Sequence, residues 1–432
     1  MSYRLLVTGV KQIVQITDDP HVSFLSGKHD MNNIKILDDD SSQLSVLVDS
    51  HGIIKYIGNE AGALKLLGDI EPDEKLDALG GVLIPGFVDG HSHPVFAGDR
   101  VHEFAMKLAG ATYMEVQAAG GGIHFTTTKT REATEDQLLD DFLNVATLMI
   151  HSGTTTLEAK SGYGLEMETE LKMLRVLSRL SDFVPLEISA TFCGAHAVPK
   201  GVTEAEQTDL ICNEIIPAIE KEKKEGKLRN LENIDVFCEK GVFGVETTRR
   251  ILEEGKKTGL NANFHAEELN WIGGVELGAE LGARAMSHLE EISEKGIEMM
   301  ASSGSVAVLL PSTAFILRLT PPPARKMIEK GVVVALGSDF NPNAFCFAMP
   351  MIMHLACITM KLSMPEALVA ATLNSAHSIG RGKTHGAICV GRKADMVVLN
   401  ANSWEHVVYR MAGHSSVIQQ VIKNGHIVFQ QC

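Results

Sequence analysis

The chain has 432 residues, of which 45% are hydrophobic and 22% charged, with a formal net charge of -15. These values describe a globular chain with a sizeable core and exclude a disordered or fibrous one. The net negative field, with no Lys/Arg block of interleaved aromatics to override it, argues against nucleic acid as a partner.

Residues 1–80 read as short strands joined by polar loops, with strands predicted over residues 4–7, 45–49 and 52–56. The stretch 1–16 alternates in strand fashion and carries Lys11, so it lacks the apolar core of a signal peptide. From Gly81 the pattern changes to apolar runs alternating with longer amphipathic segments, which signals repeated strand–helix units and a parallel sheet. Eight such strands are predicted, over residues 82–88, 154–158, 187–192, 234–237, 260–264, 284–287, 305–309 and 332–336. Eight units predict an α/β fold, a closed (β/α)8 barrel of the TIM type, over residues 81–385.

The apolar stretch 345–360 contains Pro350 and His354 and falls short of the roughly 20 residues a bilayer demands. It reads as a buried, Met-rich helix, and no membrane partner is predicted. After Gly386 short strands return, over 394–399 and 417–429, with an Asn424-Gly425 turn signal. Because chain termini often lie close together, residues 1–80 and 386–432 are predicted to form one smaller composite β domain. Seven cysteines without a CxxC or a paired framework fit a reducing compartment, and the cytoplasm is the predicted location.

The most informative segment is Asp89-Gly90-His91-Ser92-His93-Pro94, at the end of the first predicted barrel strand. Residues i and i+2 of an extended chain share a face, so both imidazoles can reach one ion. Barrel active sites collect at the C-terminal ends of the strands. His91 and His93 follow strand 1, His265 ends strand 5, His288 ends strand 6 and Asp339 follows strand 8. Any one of them alone reads as a hydrogen-bonded core histidine or a helix-capping aspartate. Five at five expected positions point to a site for one divalent ion, zinc or iron.

This constellation resembles the metal-dependent amidohydrolase superfamily across the whole barrel and the split β domain, which implies hydrolysis or deamination. Longer motifs sharpen the resemblance: His91-Ser92-His93-Pro94-Val95-Phe96-Ala97-Gly98-Asp99-Arg100, Gly120-Gly121-Gly122-Ile123, Lys160-Ser161-Gly162-Tyr163-Gly164, Phe192-Cys193-Gly194-Ala195-His196 and Gly337-Ser338-Asp339-Phe340-Asn341-Pro342. Together they are similar to the imidazolonepropionase family, particularly its animal form. That resemblance implies opening of the ring of 4-imidazolone-5-propanoate by water to give N-formimidoyl-L-glutamate, and a homodimer.

On this reading His91, His93, His265 and Asp339 hold the metal, and a bound ion makes water a nucleophile at neutral pH while polarising a cyclic amide. The resemblance places the general base on Glu268 and leaves Glu267 structural, with His288 orienting water or stabilising the oxyanion and Asp339 also moving protons. Arg100 offers a planar fork for the propionate carboxylate. Tyr113, Tyr163, His196, Asn341 and Asn343 match family positions facing the substrate, although Tyr113 also fits packing on a helix and Asn341 beside Pro342 also fits a turn. Gly120-Gly121-Gly122 has no P-loop Lys-Ser/Thr after it and reads as an active-site loop. Some superfamily members bridge two metals with a carboxylated lysine after strand 4. Here that position offers Cys238-Glu239, and Lys160 follows strand 2, so one metal and an ordinary lysine are predicted. The rival readings are a deaminase of a heterocyclic base within the same superfamily and a non-catalytic scaffold.

Overall fold

The computed structural model describes residues 2–41, 43–110 and 121–431. The opening strands are β1 (Tyr3–Val10), β2 (Gln12–Ile16), β3 (Lys35–Asp38), β4 (Leu44–Asp49), β5 (Ile54–Asn59), β6 (Glu74–Asp77) and β7 (Val82–Pro85). The barrel follows as β8 (Phe87–Ser92), β9 (Thr154–Lys160), β10 (Glu187–Ala195), β11 (Leu231–Cys238), β12 (Asn261–Ala266), β13 (Ala285–His288), β14 (Val306–Leu309) and β15 (Val333–Leu336). The chain closes with β16 (Met396–Leu399), β17 (Ile418–Lys423) and β18 (His426–Gln430).

The eight parallel strands β8 to β15 stand in chain order in one nearly closed sheet, with helices in the intervals. Two further sheets come from the chain ends, in the orders β5-β4-β1-β6 and β18-β17-β16-β7-β2-β3. The second joins both ends of the chain, since β7 pairs parallel with β2 and antiparallel with β16.

One barrel strand departs from the prediction. The run 82–88 is two strands, because Pro85 cannot donate to a ladder and the N–H of Gly86 goes to the carbonyl of Asp395 instead. A Cβ at Gly86 would meet the Thr155 side chain at 2.5 Å, so only glycine lets the chain pass there from the end sheet into the barrel. The true barrel strand starts at Phe87 and contains His91 and Ser92. The short strands β2, β3 and β6 were not predicted, and β5 starts two residues later than expected because Gly52 turns the chain with φ 78°. The Met-rich segment is helical over Met349–Thr359. Among the described residues no helix is long and apolar enough to cross a membrane.

The barrel interior is divided. On the side of β14 and β15 it is filled by Val306, Val308, Val333 and Ala335. On the side of β9 to β12 alternate residues are polar: Thr156, Glu158 and Lys160, then Ser189 and Thr191, Asn233 and Asp235, Asn263 and His265. Several of these bond to one another, with Thr191 Oγ1 and Asn263 Nδ2 donating to Glu158 at 2.6 and 3.3 Å.

The seam between β15 and β8 is stitched by the segments that carry the histidine pair and the aspartate. Asp339 N–H donates to His91 O, and His93 N–H to Phe340 O, each at 2.8 Å. Asp89 accepts from Ser338 N–H at 2.8 Å and from its hydroxyl. Glycine is required on both sides of this seam. A Cβ at Gly337 would meet His91 N at 2.8 Å, and one at Gly90 would meet Leu336 O at 3.0 Å.

Candidate active site

His91 lies in β8 and His93 follows it. His265 is the penultimate residue of β12, His288 ends β13, and Asp339 lies three residues beyond β15. All five are buried, and their donor atoms converge at the C-terminal mouth of the barrel.

Hydrogen bonding fixes which nitrogen is free in two of the rings. His93 Nδ1 faces Ser161 O at 3.1 Å, and a carbonyl can only accept, so Nδ1 carries the proton. His265 Nδ1 donates to the Asp235 carboxylate at 2.9 Å. Burial alone would raise the pKa of Asp235, but His265 and Lys160 beside it hold it well below the usual range. The two remaining nitrogens, Nε2 of His93 and of His265, stand 3.2 Å apart. With both rings neutral, these are two lone pairs face to face. Burial, reinforced by His196, keeps His93 well below the usual imidazole range. His91 Nδ1 meets Ser287 Oγ at 2.8 Å, while its Nε2 has no hydrogen-bond partner and lies 3.6 Å from Asp339 Oδ1.

Two imidazole lone pairs, the unpaired Nε2 of His91 and a carboxylate oxygen thus point into one space. That donor set fits a divalent cation. Asp235 behind His265 and Ser161 O behind His93 are the outer partners that fix ring orientation in such sites. His196 is also close: its ring stacks on His93 with centroids 4.5 Å apart, and its ligand nitrogen falls within 4.8 Å of those of His93 and His265. His288 can likewise group with His91 and His265.

Glu268 is 8% exposed, and its carboxyl lies 3.7 Å from His288 Nε2. Burial, then the charge of Asp339, pushes its pKa up to about 8, near neutrality where a carboxyl can both take and give a proton. Its neighbour Glu267 turns away with φ 57° and accepts N–H bonds from Gly273 and Gly274 at 3.1 and 2.6 Å, ahead of the helix Gly274–Leu281. Lys160 is an ammonium 2.8 Å from Asp235 and 3.0 Å from Glu158.

On the substrate side, Tyr163 is 3% exposed and His196 half-buried, with His196 Nδ1 on Gly162 O at 3.0 Å. Burial keeps the Tyr163 hydroxyl protonated, and the charges of Arg100 and Asp339 both act on it. Arg100 makes two bonds to Glu103, at 2.7 and 2.6 Å. Asn341 spends its side chain on its own loop, donating to Asp339 O and accepting from Asn343 and Ala344 N–H, which is the turn-shaping alternative. Asn343 Oδ1 accepts from Lys107 at 2.7 Å. Tyr113 and Gly120 lie outside the described residues.

Sequence reasoning missed Asp235, Asp89, Glu103 and Glu290. Asp235 left a signal, a carboxylate inside a predicted buried strand. Glu290, whose Oε2 stands 3.9 Å from His288 Nδ1, and Glu103 left none.

A barrel of this topology with a His/Asp donor cluster at its mouth is that of a metal-dependent hydrolase, and the model of the amidohydrolase family matches residues 82–428. Proteins named "probable imidazolonepropionase" are similar along the whole chain. The one from Nematostella vectensis is 52% identical over 435 residues, covering 99% of each chain, and the one from Mus musculus is 50% identical, covering 100% of this chain and 99% of its own. Among solved structures, E. coli guanine deaminase shares the fold with a TM-score of 0.72 at 17% identity, covering 100% of both chains. The chain belongs to the amidohydrolase family and, within it, to the imidazolonepropionases, which are hydrolases.

Proposed function

We propose that this chain adds water across the cyclic amide of 4-imidazolone-5-propanoate and releases N-formimidoyl-L-glutamate, a step of histidine degradation. The observation that carries the reading is the convergence of a His/Asp donor set with Glu268 at one barrel mouth. It occurs in a chain half-identical to proteins bearing that enzyme's name.

His91, His93, His265 and Asp339 would hold one divalent ion, zinc or iron. When bound, such an ion supplies a polarised carbonyl and a more acidic water. Glu268 takes the proton from the attacking water and returns it to the ring nitrogen as the C–N bond breaks. His288, 3.7 Å from Glu268, orients the water and steadies the oxyanion. Asp339 is steadied by the Thr313 hydroxyl on Oδ2, which keeps Oδ1 directed at His91 and able to share in proton movement. Arg100 takes the propionate carboxylate, with Tyr163 and His196 flanking the ring and Asn341 and Asn343 shaping the loop beside it. The resemblance extends to a cytoplasmic homodimer, whose mass light scattering would report.

The test is to incubate purified protein with freshly generated 4-imidazolone-5-propanoate and follow product by mass spectrometry, before and after metal stripping. Product above the non-enzymatic blank that vanishes on stripping and returns with zinc or iron is the expected result. No product from metal-loaded protein overturns the substrate and sends the search to heterocyclic deamination.

A further inference from the structure

Glu103 lies in the first turn of the helix Val101–Leu108, three residues after Arg100 and four before Lys107. That spacing normally marks surface ion pairs, which contribute little to stability. Here the Glu103 side chain is 6% exposed and that of Arg100 12%. Its carboxylate gathers four donors. Arg100 Nε and Nη2 bind it at 2.7 and 2.6 Å, Lys107 Nζ at 2.6 Å and Gly122 N–H at 2.8 Å. Lys107 also donates to Asn343 on the loop that carries Asp339. The carboxylate therefore ties together three segments around the mouth of the barrel. Burial opposes its charge, but these donors pull its pKa down to about 2, so it is ionised at any working pH.

Two consequences follow from which atoms are used. A guanidinium has two edges for a carboxylate, one of Nε and Nη2, the other of Nη1 and Nη2. Glu103 occupies the first, and among the described residues no acceptor sits on the second. The second consequence is charge. Arg100 and Lys107 carry two positive charges and Glu103 cancels one, which leaves this trio one net positive charge. A ligand with a single carboxylate neutralises it, whereas a second carboxylate has no cation of the trio left to meet and lies against Glu103.

We propose that Glu103 is a positioning and specificity-determining residue, which turns the free edge of Arg100 toward the substrate and sets the pocket to accept one carboxylate and reject two. The inference rests on the reading of Arg100 as the carboxylate contact.

Three competitive inhibitors sharing one ring test it: 3-(imidazol-4-yl)propanoate, its propanamide and 2-(imidazol-4-ylmethyl)malonate. In the wild type the monocarboxylate is expected to bind at least about tenfold more tightly than either of the others. In E103Q, with metal content unchanged, the ratio of malonate to propanoate inhibition constants is expected to fall by at least about tenfold. An unchanged ratio overturns the proposal. Should E103Q fail to fold, K107M keeps the Arg100–Glu103 pair and makes the pocket neutral. The substrate KM then rises by about tenfold with kcat nearly constant, whereas an unchanged KM overturns the proposal. Failure of the Arg100 reading looks different: the propanamide matches the propanoate in the wild type and R100Q leaves KM unchanged.

Discussion

The two ends of the barrel handle buried charge in opposite ways. At the N-terminal end Glu187, the first residue of β10, binds Arg381 at 2.6 Å, His385 at 2.8 Å, and Lys393 and Lys423 at 3.2 Å each. Arg381 continues to Glu232, and Lys423 to Asp395 at 2.6 Å, so the network joins the barrel to β17 with every charge answered. At the C-terminal end His91 Nε2, His288 Nδ1 and both oxygens of Glu290 have no hydrogen-bond partner among the described residues, and two imidazole lone pairs face each other. The backbone there is strained as well, with left-handed φ at Glu267, His288, Leu289 and Asp339. A satisfied network stabilises the fold; convergent unpaired groups at the C-terminal end fit the place where barrels of this kind bind and react.

The sharpest way to break this comparison is to neutralise one carboxylate at each end. At the C-terminal end, E268Q is expected to lower turnover by about 10²–10⁴-fold, or roughly 3–5 kcal/mol of barrier, because Glu268 is the group proposed to relay the proton from water to the ring nitrogen. Its melting temperature should not fall, since the Glu268 carboxyl makes no hydrogen bond among the described residues. A large fall in melting temperature with turnover preserved would reverse the assignment of the two ends.

At the other end E187Q should do the opposite. Removing the anion leaves Arg381, His385, Lys393 and Lys423 without their common partner, at a cost of about 3 kcal/mol in unfolding free energy, while the folded fraction keeps its kcat and KM. The sign of the pH dependence follows. Burial alone would raise the pKa of Glu187, but the cations around it outweigh burial and hold the folded value below the ordinary carboxylate range. Its stabilisation is therefore fully present above the pKa of an unfolded glutamate and is lost as pH falls below it. Denaturant unfolding from neutral to acid pH should show the wild-type and E187Q curves converging in acid. Curves that run parallel would remove Glu187 from the lock.

What the sequence revealed differs between these ends for a physical reason. The proposed ligand positions were legible because each sits at the end of an apolar run, where strand periodicity and barrel geometry fix what faces the mouth. His265, His288 and Asp339 needed no knowledge of their partners. The N-terminal lock was invisible, since Glu187, Arg381 and Lys423 are ordinary charged residues until folding joins positions almost 240 apart in the chain. Glu103 was hidden for the opposite reason, because its spacing to Arg100 and Lys107 imitates a solvated helix face. The strand over 82–88 was misread because Pro85 and Gly86 interrupt one sheet and begin another inside a single apolar run.

Asp235 belongs to both regions and gives the finest test of where one ends. It rises from the polar barrel interior, where Lys160 lies 2.8 Å from one oxygen, and it receives both the N–H of His265 at 3.0 Å and the ring Nδ1 at 2.9 Å. In D235N the amide nitrogen must face either the Lys160 ammonium or the His265 ring N–H, a donor against a donor in both orientations. If Asp235 serves the mouth, the His265 tautomer is loosened and metal affinity falls by about 10–100-fold in a competitive chelator titration, with turnover at saturating metal changed by less. If it serves the interior instead, the titration is unchanged and the loss appears in unfolding, because Lys160 then keeps only Glu158 to answer its charge. The lone pair of His265 Nε2 is directed into the site only while Nδ1 carries the proton, and Asp235 is what keeps the proton there.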